Sequence, residues 1–330
     1  MRRRQFISLL GGVATWPVMA RAQQNERLHR IGVWFANPEN DPEVKQEIAG
    51  FQDELAKLGW VEGRTIHIDY RFSAGGDIDR YPAVAKDLIG LQPELIVTQT
   101  TAATAALQRE THTIPIVFTR VSDPVGSGFV SSLARPSGNL TGLLQYEPGI
   151  TGKWLAMLKE IAPHIANVAF MSGERDAYSY NYFLQSAKTA ASPLGVEVVP
   201  NPVSDDADIE RSLAAIAQLA NAGLLVAPST TAIAHRDLII SLAARYRMPA
   251  VYPWRFFVTA GGLMSYGIDN VDLLRDAASY VDRMLRGSKA AELPVQAPTK
   301  YKTVVNLKTA KAIGLEVPAS LLVRADEVIE

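Results

Sequence analysis

The chain has 330 residues, enough for one large domain or two ordinary ones of about 150 residues each. Hydrophobic residues make up 48% and charged residues 20%, a globular composition that excludes a mostly disordered, collagen-like or coiled-coil chain. The formal net charge of −1 argues against a nucleic-acid binder, which carries a basic excess, and the absence of cysteine excludes disulfides, thiolate metal sites and a cysteine nucleophile.

The first 22 residues read as an export signal. Arg2, Arg3 and Arg4 precede an apolar stretch from Phe6 to Met19, and Ala20-Arg21-Ala22 supplies a small-x-small cleavage site. The apolar stretch falls short of the roughly 20 residues of a membrane span. Arg3-Arg4-Gln5-Phe6-Ile7 resembles the twin-arginine export motif, with Arg2 where Ser or Thr is usual; an ordinary Sec signal with extra arginines is the alternative. Cleavage after Ala22 removes four arginines and no acid. The product, expected in the periplasm and starting at Gln23, then has 29 basic and 34 acidic residues, a net charge near −5.

From Arg30 onward, strand-like apolar runs alternate with amphipathic stretches. Arg30–Phe35 predicts a strand. Glu43–Leu58 carries Val44, Ile48, Phe51, Leu55 and Leu58 at helical spacing and ends at Gly59, which predicts a helix with a glycine cap. Thr65–Tyr70, Glu94–Thr98 and Ile114–Thr119 read as strands, Ile78–Leu91 and Thr101–Arg109 as helices, and Asp123-Pro124 as a helix N-terminus. A first crossover is expected near Gly142–Gly149, after which the pattern restarts. Helices are expected at Ile150–Ile161, Tyr178–Ser192, Ile209–Asn221 and Ala232–Arg245, and strands at Asn167–Met171, Val196–Pro200, Gly223–Val226 and Ala250–Tyr252. Leu263–Tyr266, Val271–Leu285 and Tyr301–Asn306 follow as strand, helix and strand.

Such alternation builds parallel sheets with helices on both faces. The expected fold class is α/β, with two similar doubly wound parallel-sheet lobes joined by three crossovers. Residues 29–145 form the N-terminal lobe and 146–267 the C-terminal lobe; 268–298 return to the first and 299–330 to the second. Ligands of open α/β sheets sit beyond the carboxyl ends of the strands, so a cleft between two such lobes is the expected site.

No catalytic signature stands out. Gly126-Ser127-Gly128-Phe129-Val130-Ser131 lacks the third glycine of a dinucleotide fingerprint, and there is no P-loop, no G-x-S-x-G elbow and no H-E-x-x-H. The five histidines are scattered, which speaks against a histidine zinc site. Asp205, Asp206, Asp208 and Glu210 complement a helix dipole better than they fit a cation site. The expectation is a protein without cofactor or metal, and not an enzyme.

Several stretches carry a family resemblance over about residues 29–330. They are Leu58-Gly59-Trp60-Val61-Glu62-Gly63-Arg64, Ile114-Pro115-Ile116-Val117-Phe118, Ser122-Asp123-Pro124-Val125-Gly126 and Leu133-Ala134-Arg135-Pro136-Ser137-Gly138-Asn139-Leu140-Thr141-Gly142. Further on come Ala260-Gly261-Gly262-Leu263-Met264-Ser265-Tyr266-Gly267, Asn306-Leu307-Lys308-Thr309-Ala310-Lys311 and Arg324-Ala325-Asp326-Glu327-Val328. The chain resembles the ABC transporter substrate-binding proteins whose better-known branch binds tryptophan and other aromatic amino acids. The resemblance implies a type I periplasmic-binding-protein fold and delivery of a small-molecule ligand to an ABC permease in the inner membrane; a monomer without a nucleic-acid partner is the further expectation. The stretch Ser172–Asn181 departs from the Asn-Pro-like loop common in relatives, which leaves the ligand open between an amino acid and another small carboxylate.

Candidate ligand residues follow the strands directly. In the first lobe these are Asn37, Thr100 and Thr101 at a helix start suited to a carboxylate, and Ser122 and Asp123. Asp123 either pairs with a ligand ammonium or caps the helix expected to start at Pro124. In the second lobe Ser172 and Glu174 follow one strand, Ser229 and Thr230 another, and Tyr252 and Trp254 a third. Ser265 and Tyr266 lie near a crossover, and Tyr252 or Tyr266 offers a ring for stacking or for interlobe packing. Two alternatives to transport stay open at this stage: a ligand-sensing module for a membrane signalling partner, and an enzyme on the same fold.

Overall fold

Strand β1 (His29–Phe35) shows why the first lobe is a covered sheet. Ile31, Val33 and Phe35 enter one apolar cluster and Trp34 another, so both faces of the strand are buried and its sequence reads as an unbroken apolar run. This computed structural model describes residues 28–73, 78–147, 149–173 and 178–330. With β2 (Ile66–Phe72), β3 (Leu95–Gln99), β4 (Ile116–Val121) and β5 (Leu140–Leu144), β1 forms a five-stranded, all-parallel sheet in the order β2-β1-β3-β4-β5. Helices α1 (Pro42–Lys57), α2 (Tyr81–Gly90) and α3 (Thr101–Glu110) connect its strands. Asp41 starts α1 by accepting from the Glu43 amide at 2.8 Å, with Pro42 at the first helical position.

The second sheet has seven strands in the order β12-β11-β10-β9-β8-β6-β7. These are β6 (Asn167–Ser172), β7 (Glu197–Pro202), β8 (Ala222–Val226), β9 (Ala250–Tyr252), β10 (Met264–Gly267), β11 (Lys302–Asn306) and β12 (Glu327–Ile329). Only the β10–β11 pair is antiparallel. Helices α4 (Ile150–Ile161), α5 (Tyr178–Ala191), α6 (Asp206–Ile216), α7 (Thr230–Ala234), α8 (Arg236–Arg245), α9 (Arg255–Thr259), α11 (Leu307–Ile313) and α12 (Ala319–Arg324) accompany it. Helix α10 (Asn270–Leu285) instead packs along α1, where a Cβ on Gly50 would meet Val271 at 2.5 Å. Trp60 Nε1 adds a hydrogen bond to Asp282 at 2.9 Å.

Three connections join the sheets, and each brings a tyrosine to one stack. Tyr146 follows β5, Tyr266 ends β10 and Tyr301 precedes β11. The Tyr266 and Tyr301 rings lie 5.2 Å apart at 17°, and those of Tyr301 and Tyr146 6.3 Å apart at 24°. The Tyr146 hydroxyl donates to the Pro253 carbonyl at 2.8 Å, and the Glu147 amide donates to the Tyr301 oxygen at 2.9 Å. Two further crossover residues pair, Lys302 with Asp269, the N-cap of α10, at 2.9 Å.

Several local expectations need correction. Leu140–Leu144 is a strand, not the beginning of the crossover. Its pattern is disguised by Thr141, which donates to the Leu293 carbonyl, and by Gly142, where a Cβ would lie 1.9 Å from the Phe118 carbonyl oxygen. No helix starts at Pro124; Asp123 Oδ1 accepts from the Gly126 amide at 2.8 Å in a run of turns. The expected helix over 232–245 is divided at His235, whose ring contacts Asp206 at 2.6 Å. The short elements α9, α11, α12 and β12 carry too little periodicity to be read from sequence. Asp205 caps α6 through the Asp208 amide at 2.8 Å, as the dipole reading of that acidic group anticipates. The expected export signal lies outside the described residues.

Three predictions concern this scaffold. Gly142→Ala overpacks the β4–β5 contact and lowers unfolding free energy by about 1–3 kcal/mol in a denaturant melt. Gly90→Ala, exposed in α2 with nothing within 4 Å of the added carbon, leaves the melt unchanged or improves it. The Asp269 carboxyl lies below the ordinary carboxylate range: burial alone would raise it, but Lys302 and the Val271 and Asp272 amides outweigh that. A depressed carboxylate contributes stability above its unfolded pKa of about 3.9 and loses it as pH falls through the lower folded value. The stability gap between wild type and Asp269→Asn, measured by urea melts, is therefore full near neutral pH and closes below about pH 4.

Candidate functional site

A cleft of about 260 Å³ lies between the carboxyl ends of the two sheets, lined by residues from both lobes. On the first-lobe side, β3 ends at Gln99 and Thr100 turns the chain into α3. Thr100 sits at φ 71°, ψ 153°, accepts from the Ala103 amide through its hydroxyl, and hydrogen-bonds through its own amide to Thr119 at 3.0 Å. Thr100, Thr101 and Ala102 face the cleft at the start of this ten-residue helix.

Strand β4 makes the second contribution. Its pairing with β5 shifts register between Phe118 and Val121, and Arg120 takes a left-handed φ of 57°. Bulges re-aim side chains near functional sites, and a non-glycine residue at positive φ is strain the surroundings must sustain. Arg120 is 5% exposed. Its Nη1 donates to Gln99 Oε1 at 3.1 Å and lies 3.6 Å from Glu47 Oε1, and Gln99 Nε2 donates to Glu47 Oε2 at 2.6 Å. Burial pushes the Glu47 carboxyl up from its ordinary range, opposed by Arg120 and then by Gln99. Beside this triad, the Ser122 hydroxyl donates to Gln145 Oε1 at 3.3 Å.

The second lobe presents Gly173 after β6, Ser229, Thr230 and Thr231 at the start of α7, and Trp254 after β9. Ser229 caps α7 through the Ala232 amide at 3.0 Å. A Cβ on Gly173 would lie 2.7 Å from Thr231 Oγ1, so the glycine makes room for that hydroxyl. The Arg120 guanidinium lies 5.7 Å from the Trp254 ring centroid, a cation–π contact that spans the lobes. Ile78, Tyr81 and Ala105 form an apolar wall.

Of the residues expected from sequence, Thr100, Thr101, Ser122, Ser229, Thr230 and Trp254 line this cleft. The others lie elsewhere. Asn37 is buried beyond β1 and does not line it. Asp123 serves its own turn, and Ser172 is buried at the end of β6. Tyr252 is 1% exposed, stacked on Phe257 at 5.1 Å inside the second lobe. Ser265 is buried in β10, and Tyr266 belongs to the crossover stack. Glu174 lies outside the described residues. Sequence reasoning did not select Arg120, Gln145, Tyr81 or Arg109, all of which line the cleft. A lone arginine inside the apolar run Ile116–Val121 was the available signal, because buried arginine is rare unless paired. Among the described residues no group of three or more His, Asp or Glu is placed to hold a metal ion.

The profile described as ABC transporter substrate binding protein matches residues 35–329, nearly all of the described fold. The chain belongs to this family. Relatives and solved structures agree in fold. A tyrosine-binding protein of Clostridioides difficile (strain R20291) is 25% identical over 276 residues, which cover 83% of this substrate-binding protein and 78% of the relative. The crystal structure of a conserved domain protein from Vibrio cholerae is 26% identical with a TM-score of 0.84, covering 92% of this chain and all of the other. The structure of an ABC domain in complex with L-Trp from Streptococcus pneumonia is 25% identical with a TM-score of 0.83, at the same coverage. More distant neighbours, such as a glucose-galactose binding protein from Geobacillus stearothermophilus at 12% identity and a TM-score of 0.62, share the fold alone. The two-lobed α/β architecture is that of the type I periplasmic binding proteins.

The triad yields a stability prediction. Glu47→Ala leaves the Arg120 charge buried without a counter-ion and destabilises the fold by about 3–5 kcal/mol. A Glu47→Ala/Arg120→Met double variant recovers part of that loss, because the pair is then removed together. Chemical denaturation of the four-member cycle measures both effects.

Proposed function

We propose that this substrate-binding protein is exported to the periplasm, closes its two lobes around a small ligand, and delivers that ligand to an ABC permease in the inner membrane. The ligand is an amino acid or another small carboxylate. The observation that carries the reading is the composition of the cleft. Thr100, Thr101 and Ser122 of one lobe face Ser229, Thr230 and Trp254 of the other. A ligand held by both sides has greater affinity for the closed form than for the open one, which is the differential interaction that drives closure. An apolar wall with a few placed polar groups is the usual chemistry of a small-molecule site. The amino acids bound by the relatives from Clostridioides difficile and Streptococcus pneumonia support this ligand class. The protein acts by binding, without a cofactor and without catalysis. Export rests on the arginine-rich, small-x-small N-terminus, and among the described residues no helix is long and apolar enough to cross a membrane.

A thermal-shift screen of the exported protein with amino acids, small carboxylates, aromatic acids and sugars tests the reading. A ligand that binds only the native state adds about 2.7 kcal/mol at 100-fold excess over its Kd, so at least one amino acid or carboxylate raises the midpoint by several degrees. A flat response across the panel contradicts the proposal. N-terminal sequencing of the periplasmic product is expected to begin at Gln23, and replacing Arg3 and Arg4 with lysine is expected to stop its appearance there.

A further inference from the structure

Two hydrogen-bond donors lining the cleft have no partner among the described residues. Arg120 uses Nη1 on Gln99 and Glu47, while its Nε is buried and unpaired. Trp254, 2% exposed, has its indole Nε1–H buried and unpaired as well. Buried donors left without acceptors cost free energy, and such groups in a native fold call for an explanation. The strained backbone at Arg120 and the β4–β5 register shift belong to the same residue. The N-terminus of α3 opens beside them at Thr101 and Ala102, with its free amides and positive dipole end. Arg109 adds a second cation at the cleft margin.

Among the described residues no Asp or Glu lines the cleft. Glu47, the acid behind Arg120, is 1% exposed and already bonded to Gln99 and Arg120. The free Nε side of a guanidinium is a planar fork matched to a carboxylate. The described lining therefore offers several donors for an anion.

We infer that Arg120 and Trp254 form a carboxylate-binding floor and that the ligand is an organic acid with an apolar body, its carboxylate accepting from the Arg120 Nε–H and the Trp254 indole N–H. This rests on the cleft being the ligand site, as proposed above, and deepens that reading by naming which half of an amino acid is needed. The apolar body lies against Ile78, Tyr81 and Ala105.

Isothermal titration of the exported protein with matched probes tests it: L-tryptophan against 3-(indol-3-yl)propanoate, L-tyrosine against 3-(4-hydroxyphenyl)propanoate, L-leucine against 4-methylpentanoate, and tryptamine as an amine without a carboxylate. At least one carboxylate of this series is expected to bind, and tryptamine not at all. Trp254→Phe removes the N–H together with the five-membered ring, and Arg120→Lys removes the Nε–H while keeping the charge; a melt of each variant separates donor loss from misfolding. Each variant is expected to weaken acid binding about ten- to a hundredfold, the range for a hydrogen bond to a charged group, while still unfolding cooperatively. Tryptamine binding as tightly as L-tryptophan overturns this inference and leaves the binding-protein reading standing. Failure of every anionic probe overturns the inference, and a flat broader screen overturns the proposed function with it. Unchanged affinity in Trp254→Phe removes the indole N–H from the floor.

Discussion

A buried guanidinium sets the terms for the site. Arg120 stands inside a sheet whose neighbouring positions are apolar, and an isolated charge there would be prohibitively costly. Its position becomes tenable because Glu47 of α1 and Gln99 of β3 reach it, because β4 shifts register against β5, and because the backbone accepts a left-handed conformation. These come from α1, β3 and the β4–β5 pair, so the first lobe must be assembled before the side chain is held. The remaining face of the group then looks into the cleft, against a tryptophan from the other lobe. The same residue thus links the packing of one lobe to the surface it offers the second.

The way the lobes are joined follows a similar logic. One apolar cluster contains Ile31, Val33 and Phe35 of the first sheet together with Val168 and Phe170 of the second, and passes through Tyr146 and Trp154. The tyrosine stack lies on this path. Close contacts tighten it further: a Cβ on Gly267 would meet the Pro253 carbonyl oxygen at 1.8 Å, and the Trp154 indole donates to the Tyr266 carbonyl at 2.7 Å.

Much of the fold was legible because its signals are local. Val44, Phe51 and Leu55 repeat at the helical period and are buried in α1, and the apolar runs of β1, β3, β6 and β8 carry the signature of strands covered on both faces. The rule that ligands sit beyond strand ends directed attention to Thr100, Thr101, Ser122, Ser229 and Thr230, which do come together along one cleft. The same rule also selected Ser172, Tyr252 and Ser265, whose side chains turn away into the core. Following a strand fixes a residue's height in the sheet but not the direction of its side chain. Arg120 and Gln145 were overlooked for the converse reason, since their importance lies in neighbours distant in the chain.

By itself, the sequence determined the α/β class, the succession of elements and the family, because hydrophobic period, caps and contiguous motifs depend only on nearby residues. Tertiary structure decided what the cleft contains. It brought Glu47, Gln99 and Arg120 into one buried group, set Trp254 of the other lobe over it, and gathered Tyr146, Tyr266 and Tyr301 from three separate crossovers. Those meetings follow from strand order and register, which depend on packing across the whole chain.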